Sequence, residues 1–369
     1  MHTVEITLEQ VLLARDRRVM RQRELAARYG GTLLSFTMNI AGPVKDAPLV
    51  RLAFRAGLAA LDRDLGKPVH RELIQAPTGP EALLVYDRPA PWVKERCLLL
   101  EERDPVGRLY DLDVLSPERE KLSRPQSRRC LICGGPVTVC SRSRAHGLPA
   151  IRARTRDILA DFAAGHLSAL ARQALEDEVD LTPKPGLVDR RNSGSHTDMD
   201  SFTFMSSAAS LYPYFEACTR AGRKTADGPA PETFAALRPL GCEAEGEMLA
   251  ATHGVNTHKG AIFSIGIVCA ALGRLNRAVW ADPASVLAEV STMTAGLTAK
   301  DFAGVTAENA VTAGQKLYVQ YGITGVRGQV EAGLPAVLEF GLPALEKGLA
   351  AGYSLNQSGC GALLAIFCL

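Results

Sequence analysis

The stretch Arg108-Leu-Tyr-Asp-Leu-Asp-Val-Leu115 decides how the first half of the chain is read. Apolar and polar residues alternate through it, and successive side chains on a strand point to opposite faces. Tyr110, Leu112 and Val114 then face a core, and Asp111 and Asp113 share the other face. Adjacent carboxylates repel unless a cation lies between them. The pair therefore suits Mg²⁺ held against a polyphosphate, with Asp111 and Asp113 as metal ligands and catalytic groups of a nucleotidyl- or phosphoryl-transfer site. The plain alternative is the solvated polar edge of a hairpin.

Outward from this strand, the preceding residues mix helix and strand. Thr7 and Gln10 form a capping-box pattern that opens a helix ended by Gly30-Gly31. Thr32 to Ile40 is short, apolar and strand-like, and Gly42 to Lys45 is a turn. A second helix is predicted over about Ala47 to Leu65. Leu73–Gln75, Ala82–Tyr86 and Arg96–Glu101 read as short strands, the last closing a hairpin with 108–115 through the turn Asp104-Pro105-Val106-Gly107. From about Ile151 onward apolar residues recur at helical spacing. The reading is an α+β N-terminal domain, residues 1–165, followed by an all-α helical C-terminal domain, residues 166–369.

Composition bounds the function. The 369 residues are 47% hydrophobic and 22% charged, which excludes a disordered tail, a collagen or a disulfide scaffold. The net charge of +2 hides an asymmetry: residues 1–170 carry 27 Lys and Arg against 20 Asp and Glu, and residues 171–369 carry 15 against 20. Nine cysteines at this length predict free thiols or metal ligands. No basic n-region with an apolar h-region opens the chain, and Gly260–Gly273 is too short to span a bilayer. The expectation is a cytoplasmic protein with no membrane association.

Past the Asp pair, Arg119, Lys121, Arg124, Arg128, Arg129, Arg142 and Arg144 cluster with Glu120 as the only acid between Arg119 and Arg144. Such a patch suits an anionic substrate or an acidic protein surface. Aromatic residues are absent from it, so nucleic-acid binding is disfavoured. Within it, Cys130, Cys133, Cys140 and His146 are spaced C-x2-C-x6-C-x5-H. They could close a tetrahedral Zn²⁺ site or be small packed residues.

The second half has its own polar groups. Thr182-Pro-Lys184-Pro-Gly186 is rigid and leads into His196, Asp198 and Asp200, which are either ligands or N-terminal helix charges. Asn256, His258 and Lys259 precede an apolar helix and form a candidate phosphate cradle. Glu245 lies one helix earlier, turned away from the face shared by Glu243 and Glu247. An acidic site beside a phosphate site implies Mg²⁺-nucleotide chemistry.

These stretches resemble two known families joined head to tail. LLSFTMNIAGPVKDAPLVRLAF (Leu33–Phe54), RLYDLDVLS (Arg108–Ser116) and RRCLICGGPVTVCSRSRAH (Arg128–His146) are similar to the citrate lyase holo-acyl-carrier-protein synthase, a phosphoribosyl-dephospho-CoA transferase. The segments 178–200, 244–266 and 317–337 resemble triphosphoribosyl-dephospho-CoA synthase. The resemblance implies a bifunctional transferase. One half would join ATP to dephospho-CoA with release of adenine. The other would attach that product to a serine of the citrate lyase acyl carrier protein with release of pyrophosphate.

On that basis Asp111 and Asp113 would hold Mg²⁺ for the transfer, with Lys45, Arg124, Arg128, Arg129, Arg142 and Arg144 on the phosphates. Asp198 and Asp200 would hold Mg²⁺ for the synthesis, with Lys184, Asn256, His258 and Lys259 on the phosphates and Glu245 or His196 as base. The segment from Asn356 departs from the synthase pattern, which predicts a second half shortened at its C-terminus and leaves an active first half alone as an alternative to the bifunctional reading. The competing readings are the same chemistry for malonate decarboxylase and a zinc-stabilised nucleic-acid-binding protein.

Overall fold

The computed structural model describes residues 4–368. It divides into one unit running up to Ala163 and a second from Ala164 onward. In the first unit, helix α1 (Leu8–Tyr29) starts at the expected capping box. The Gln10 amide donates to Thr7 Oγ1 at 3.2 Å, and the Thr7 amide to Gln10 Oε1 at 2.8 Å. It ends where Gly30 adopts φ +63°, a left-handed conformation that favours glycine. Strand β1 (Thr32–Met38) and helix α2 (Pro48–Leu65) follow, then strands β2 (His70–Ala76) and β3 (Gly79–Tyr86).

Residues 96–101, read above as a strand, are helical within α3 (Ala90–Glu102). Pro91 opens the helix, and Ala90, Val93, Cys97 and Leu100 are buried at helical spacing, a period that the short window 96–101 cannot reveal. Strand β4 (Tyr110–Leu115) therefore has no hairpin partner before it and pairs instead with β1. The sheet is antiparallel throughout, in the order β2-β3-β1-β4.

Tyr110, Leu112 and Val114 are buried, as the alternation predicts. They join Leu34, Phe36, Leu84 and Tyr86 in the main core beneath α2 and α3. Gly57 on α2 is required there, because a Cβ would lie 2.6 Å from Phe36. The opposite face packs Leu33, Leu83 and Val85 against Leu25 of α1. After β4 the chain forms a short helix, α4 (Val137–Ser143), and the 33-residue α5 (Leu148–Asp180), which crosses from the first unit into the second.

Beyond α5 every described regular element is helical. Helices α6 (Ser201–Ser210) and α7 (Tyr212–Lys224) are separated at Leu211, just before Pro213. Helices α8 (Ala230–Ala251), α9 (Lys259–Arg274), α10 (Pro283–Met293) and α11 (Leu297–Asp301) follow. The remaining helices are α12 (Ala313–Tyr321), α13 (Gly325–Glu331), a π-helical stretch (Ala336–Gly341), α14 (Leu342–Ala350) and α15 (Leu355–Phe367). The core of this unit is centred on Phe215, Cys218, Ala270, Val290 and Met293.

Helices α7 and α9 cross closely because small residues face each other. A Cβ at Gly222 would lie 2.0 Å from the Ala270 carbonyl oxygen, and one at Gly273 would lie 2.1 Å from that of Thr219. Both obstacles are backbone, so neither can rotate away. Gly222→Ala must push the two helices apart and should cost about 2–3 kcal/mol, read as a lower urea midpoint for the unfolding of the second unit.

Candidate active sites

In the first unit the paired carboxylates lie on an edge strand. Asp113 and Asp111 stand opposite Ser35 and Thr37 of β1, on the sheet face that also carries Leu33. Both are half-exposed, unlike their buried neighbours in the strand. Asp113 Oδ2 accepts from Lys121 Nζ at 2.7 Å, and Asp111 Oδ1 accepts from Arg128 Nη2 at 3.4 Å. Each carboxylate is thus neutralised by a basic side chain from the segment that follows β4.

A third carboxylate organises that segment. Glu101 of α3 is 2% exposed and accepts the Leu112 amide at 2.9 Å. It also accepts Arg128 Nη2 at 2.5 Å and a short bond from Arg124. Arg128 additionally donates to the Tyr110 carbonyl at 2.9 Å, so one guanidinium spans Glu101 and β4. Lys94 of α3 is buried behind the strand, with Nζ on the Leu112 carbonyl at 3.2 Å, and burial lowers its pKa. Glu101 and Lys94 carry no sequence signal except their helical register, which the strand reading of 96–101 conceals.

Arg128 leads into a cavity of about 480 Å³ whose wall also includes Arg108, Arg129, Arg144, Cys130 and His146. Three of the proposed phosphate ligands, Arg128, Arg129 and Arg144, therefore meet in one place. Arg124 and Arg142 do not line it, and Arg124 is committed to Glu101. Lys45 is also elsewhere: its Nζ donates to the Ile40 carbonyl, and burial lowers its pKa. Arg108, which opens the quoted strand, adds a cation that spacing alone does not single out.

The second unit contains a cavity of about 390 Å³ with an apolar floor that includes Tyr214, Phe234 and Phe263. Its rim is charged. Lys259 Nζ sits 2.8 Å from Glu245 Oε2, and Asp301 accepts from Arg238 and Arg327 at 2.9 Å each. Burial opposes ionisation of Asp301, but the two arginines outweigh it and keep the carboxyl below its ordinary value. Arg238 also lies 5.2 Å from the centre of the Phe234 ring. Glu245 and Lys259 are thus brought together. Arg238, Asp301 and Arg327 are additions, of which only Arg327 lies in a stretch the family resemblance marks.

The other predicted groups lie outside this cavity. His196 Nδ1 is 4.0 Å from Asp198 Oδ1 on an exposed loop. Asp200 caps α6, accepting the Thr203 amide at 2.9 Å, so one of its oxygens is already engaged. Asn256 is exposed. Lys184 is buried, with Nζ on the Glu178 carbonyl at 2.6 Å and its carboxylate at 2.7 Å, and is therefore not available to a phosphate. The loop around it is held by Asp189, a residue that spacing does not single out. Burial opposes ionisation of Asp189, yet bonds from Thr182 Oγ1 and the amides of Arg191, Asn192 and Lys184 hold its pKa at about 2.

His258, expected on phosphate, is buried. Nδ1 lies 2.7 Å from Ser207 Oγ, the ring packs edge-on against Phe204, and Nε2 is shielded with no partner among the described residues. Burial pushes its pKa down to about 4, so at neutral pH it carries no positive charge. The unfolded imidazole titrates near 6.5, so its contribution to stability is fully present above that pH and is lost as pH falls toward about 4. The urea midpoint of the second unit should fall over that window, and His258→Gln should flatten the fall. Parallel midpoints for the two proteins would show that the imidazole is not desolvated.

The chain thus gathers arginines around one cavity, beside a strand with two half-exposed carboxylates, and sets a charged rim over an apolar floor at another, an arrangement suited to phosphate-bearing substrates. Comparison with known proteins makes the chain a transferase. Residues 6–162 match the family described as apo-citrate lyase phosphoribosyl-dephospho-CoA transferase. Residues 164–368 match the family described as ATP:dephospho-CoA triphosphoribosyl transferase. The chain belongs to these two families, fused in that order.

The chain is similar to Protein CitXG of Haemophilus influenzae, 39% identical over 89% of this chain and 74% of the relative. It is similar to Protein CitXG of Leuconostoc mesenteroides subsp. cremoris, 33% identical over 92% of this chain and 78% of the relative. A probable 2-(5''-triphosphoribosyl)-3'-dephosphocoenzyme-A synthase of Lactiplantibacillus plantarum is 43% identical over 53% of this chain and 69% of its own length. Among the described residues no helix is long and apolar enough to cross a membrane.

Proposed function

We propose that this chain builds the prosthetic-group precursor of citrate lyase and then installs it on the lyase's acyl carrier protein, with one unit for each reaction. The observation that carries this reading is a coincidence of boundaries. One family match ends at residue 162 and the other begins at 164, and the fold divides between Ala163 and Ala164.

In the second unit a ribose hydroxyl of dephospho-CoA attacks C1 of the ATP ribose. A new C–O bond forms there, the bond to adenine breaks, and the triphosphate stays attached. Glu245 takes the hydroxyl proton, since it is the carboxylate of the cavity whose only partner there is a lysine. Lys259, Arg238 and Arg327 are the cations within reach of the triphosphate. Phe234 and Phe263 offer apolar surface to the adenine. Asp198 and Asp200, with His196 beside them, belong to a loop outside the cavity and would serve Mg²⁺ only through Asp198 and the second oxygen of Asp200.

In the first unit a carrier serine attacks the phosphorus nearest the ribose, forming a phosphodiester and releasing pyrophosphate. Arg128, Arg129 and Arg144 stabilise the charge that develops on the leaving group. The oxygens of Asp111 and Asp113 fit Mg²⁺, because both are half-exposed and each is balanced by a flexible cation that a divalent ion would replace. When bound, that ion would neutralise the triphosphate and align it for in-line attack. A cytoplasmic setting fits substrates such as ATP and dephospho-CoA.

Two separate assays test the division. With ATP, dephospho-CoA and Mg²⁺, adenine release reports the second unit. With finished precursor and apo carrier protein, the carrier's mass gain reports the first, and the apo carrier of malonate decarboxylase serves as the control. Asp111→Asn or Asp113→Asn should lower carrier modification about 100-fold or more and leave adenine release within about two-fold. Glu245→Gln should do the reverse, by about 100-fold. An Asp111→Asn protein with unchanged carrier modification would remove the metal role of that strand.

A further inference from the structure

The segment after β4 raises a physical problem. No side chain from residue 115 to residue 154 is fully buried, and Leu122 and Leu131 pack only half-buried against the main core, yet the backbone makes defined turns and bridges. Arg129 and Pro136 form an isolated bridge, the Cys130 amide donates to the Gly135 carbonyl at 2.6 Å, and Gly134 turns the chain at φ +72°. Helix α4 follows without a single buried residue. A stretch this long with so little core needs another source of cohesion, which small modules obtain from disulfides or metals.

The cysteine and histidine side chains of this segment supply one. Cys130, Cys133, Cys140 and His146 each bring a ligand atom to within 4.8 Å of all the others. Among the described residues they are the one group of three or more potential ligands so gathered. A tetrahedral ion with metal–sulfur bonds of about 2.3 Å sets its sulfurs ~3.8 Å apart, and Cys133 Sγ and Cys140 Sγ lie 3.4 Å apart. Cys130 Sγ accepts the Ile132 amide at 3.4 Å, a bond that favours a thiolate. His146 Nε2 is shielded from solvent with no hydrogen-bond partner among the described residues, a costly state for an imidazole nitrogen unless an ion or solvent completes it.

We infer that Cys130, Cys133, Cys140 and His146 bind one Zn²⁺ in a closed tetrahedral site that fixes the wall of the arginine-lined cavity. Three thiolates and an imidazole are the soft donor set that selects zinc over Mg²⁺. Four protein ligands leave no open position, so the ion is structural. Three thiolates on a divalent ion leave one net negative charge, which the surrounding Arg129, Arg142 and Arg144 offset. Cys130 and His146 line the same cavity as Arg128 and Arg144, so the ion would set where those guanidinium groups stand.

The full chain, purified under reductant, should contain one zinc per chain by elemental analysis. Cys133→Ser and His146→Ala should each lose it, while Cys242→Ser, an exposed thiol of the second unit, should keep it. Cobalt exchanged into the full chain should give tetrahedral ligand-field and thiolate charge-transfer absorption that Cys133→Ser abolishes. Chelation should speed tryptic cleavage within residues 116–147 at least ten-fold, with helical content nearly unchanged. Reduced wild-type protein that takes up neither zinc nor cobalt would overturn the inference. So would zinc retained by a Cys133→Ser/His146→Ala protein, or a Cys133–Cys140 disulfide in metal-free protein.

Discussion

The buried carboxylate of Glu101 is the constraint on which the chemistry of the first unit depends. A carboxylate removed from water is costly unless every lone pair finds a donor. Glu101 meets that demand with the Leu112 amide, Arg128 and Arg124. Those bonds tie α3 to the edge strand and to the segment beyond it. Because the Leu112 amide is one of the donors, they also fix the phase of β4, and with it the face on which Asp111 and Asp113 stand. Arg128 then serves twice, satisfying Glu101 and reaching Asp111 and the cavity. All of these bonds leave from one nitrogen, Nη2, so Glu101, the Tyr110 carbonyl and Asp111 converge on a single point of the guanidinium.

The second unit uses the same principle for a different end. Asp189 gathers five donors and holds the Thr182–Asn192 loop as a rigid piece. Asn356 of α15 clamps the start of that loop, accepting the Thr182 amide at 2.9 Å and donating to its carbonyl at 2.8 Å. The charges at the cavity are arranged otherwise. Glu245 with Lys259, and Asp301 with Arg238 and Arg327, are ion pairs on a partly exposed rim, where each is worth little to stability. Such pairs are cheap to exchange for a phosphate, whereas the Asp189 network is not. The loop is thus the more firmly held of the two, and the rim's pairs cost less to separate.

This contrast explains what the sequence could and could not reveal. The alternation at 110–115, the Thr7 capping box and the glycine after α1 are local signals, and the structure keeps them. The helix at 90–102 was concealed because its period exceeds the window that suggested a strand, and the partner of β4 could not be known before that helix was placed. Family stretches drew attention to Lys184 and His258, but burial turned one into a partner of Glu178 and the other into an uncharged core imidazole. Conversely, Arg238 and Asp301 are far apart in the chain and ordinary in their local context. Only packing of α8, α11 and α13 brings them and Arg327 to one rim. Spacing identifies donors that lie close in sequence, as in the Cys130–His146 cluster, and is blind to those assembled by tertiary contact.

The excess positive charge of the first half acquires a specific location. Many of its cations are already spent: Arg18 on Glu81, Arg21 on Glu72, Arg51 on Asp46, and Arg124 and Arg128 on Glu101. Arg129, Arg142 and Arg144 make no ion pair among the described residues, and all three are exposed on the thinly packed segment after β4. An anionic ligand at the cavity would meet uncompensated charge there, since Arg129 and Arg144 line it. That charge is useful only if its carriers are held apart against their mutual repulsion, and no buried side chain of the segment does so. The physical demand for cohesion and the electrostatic demand for a fixed array of arginines therefore fall on the same short stretch, Arg128 to His146.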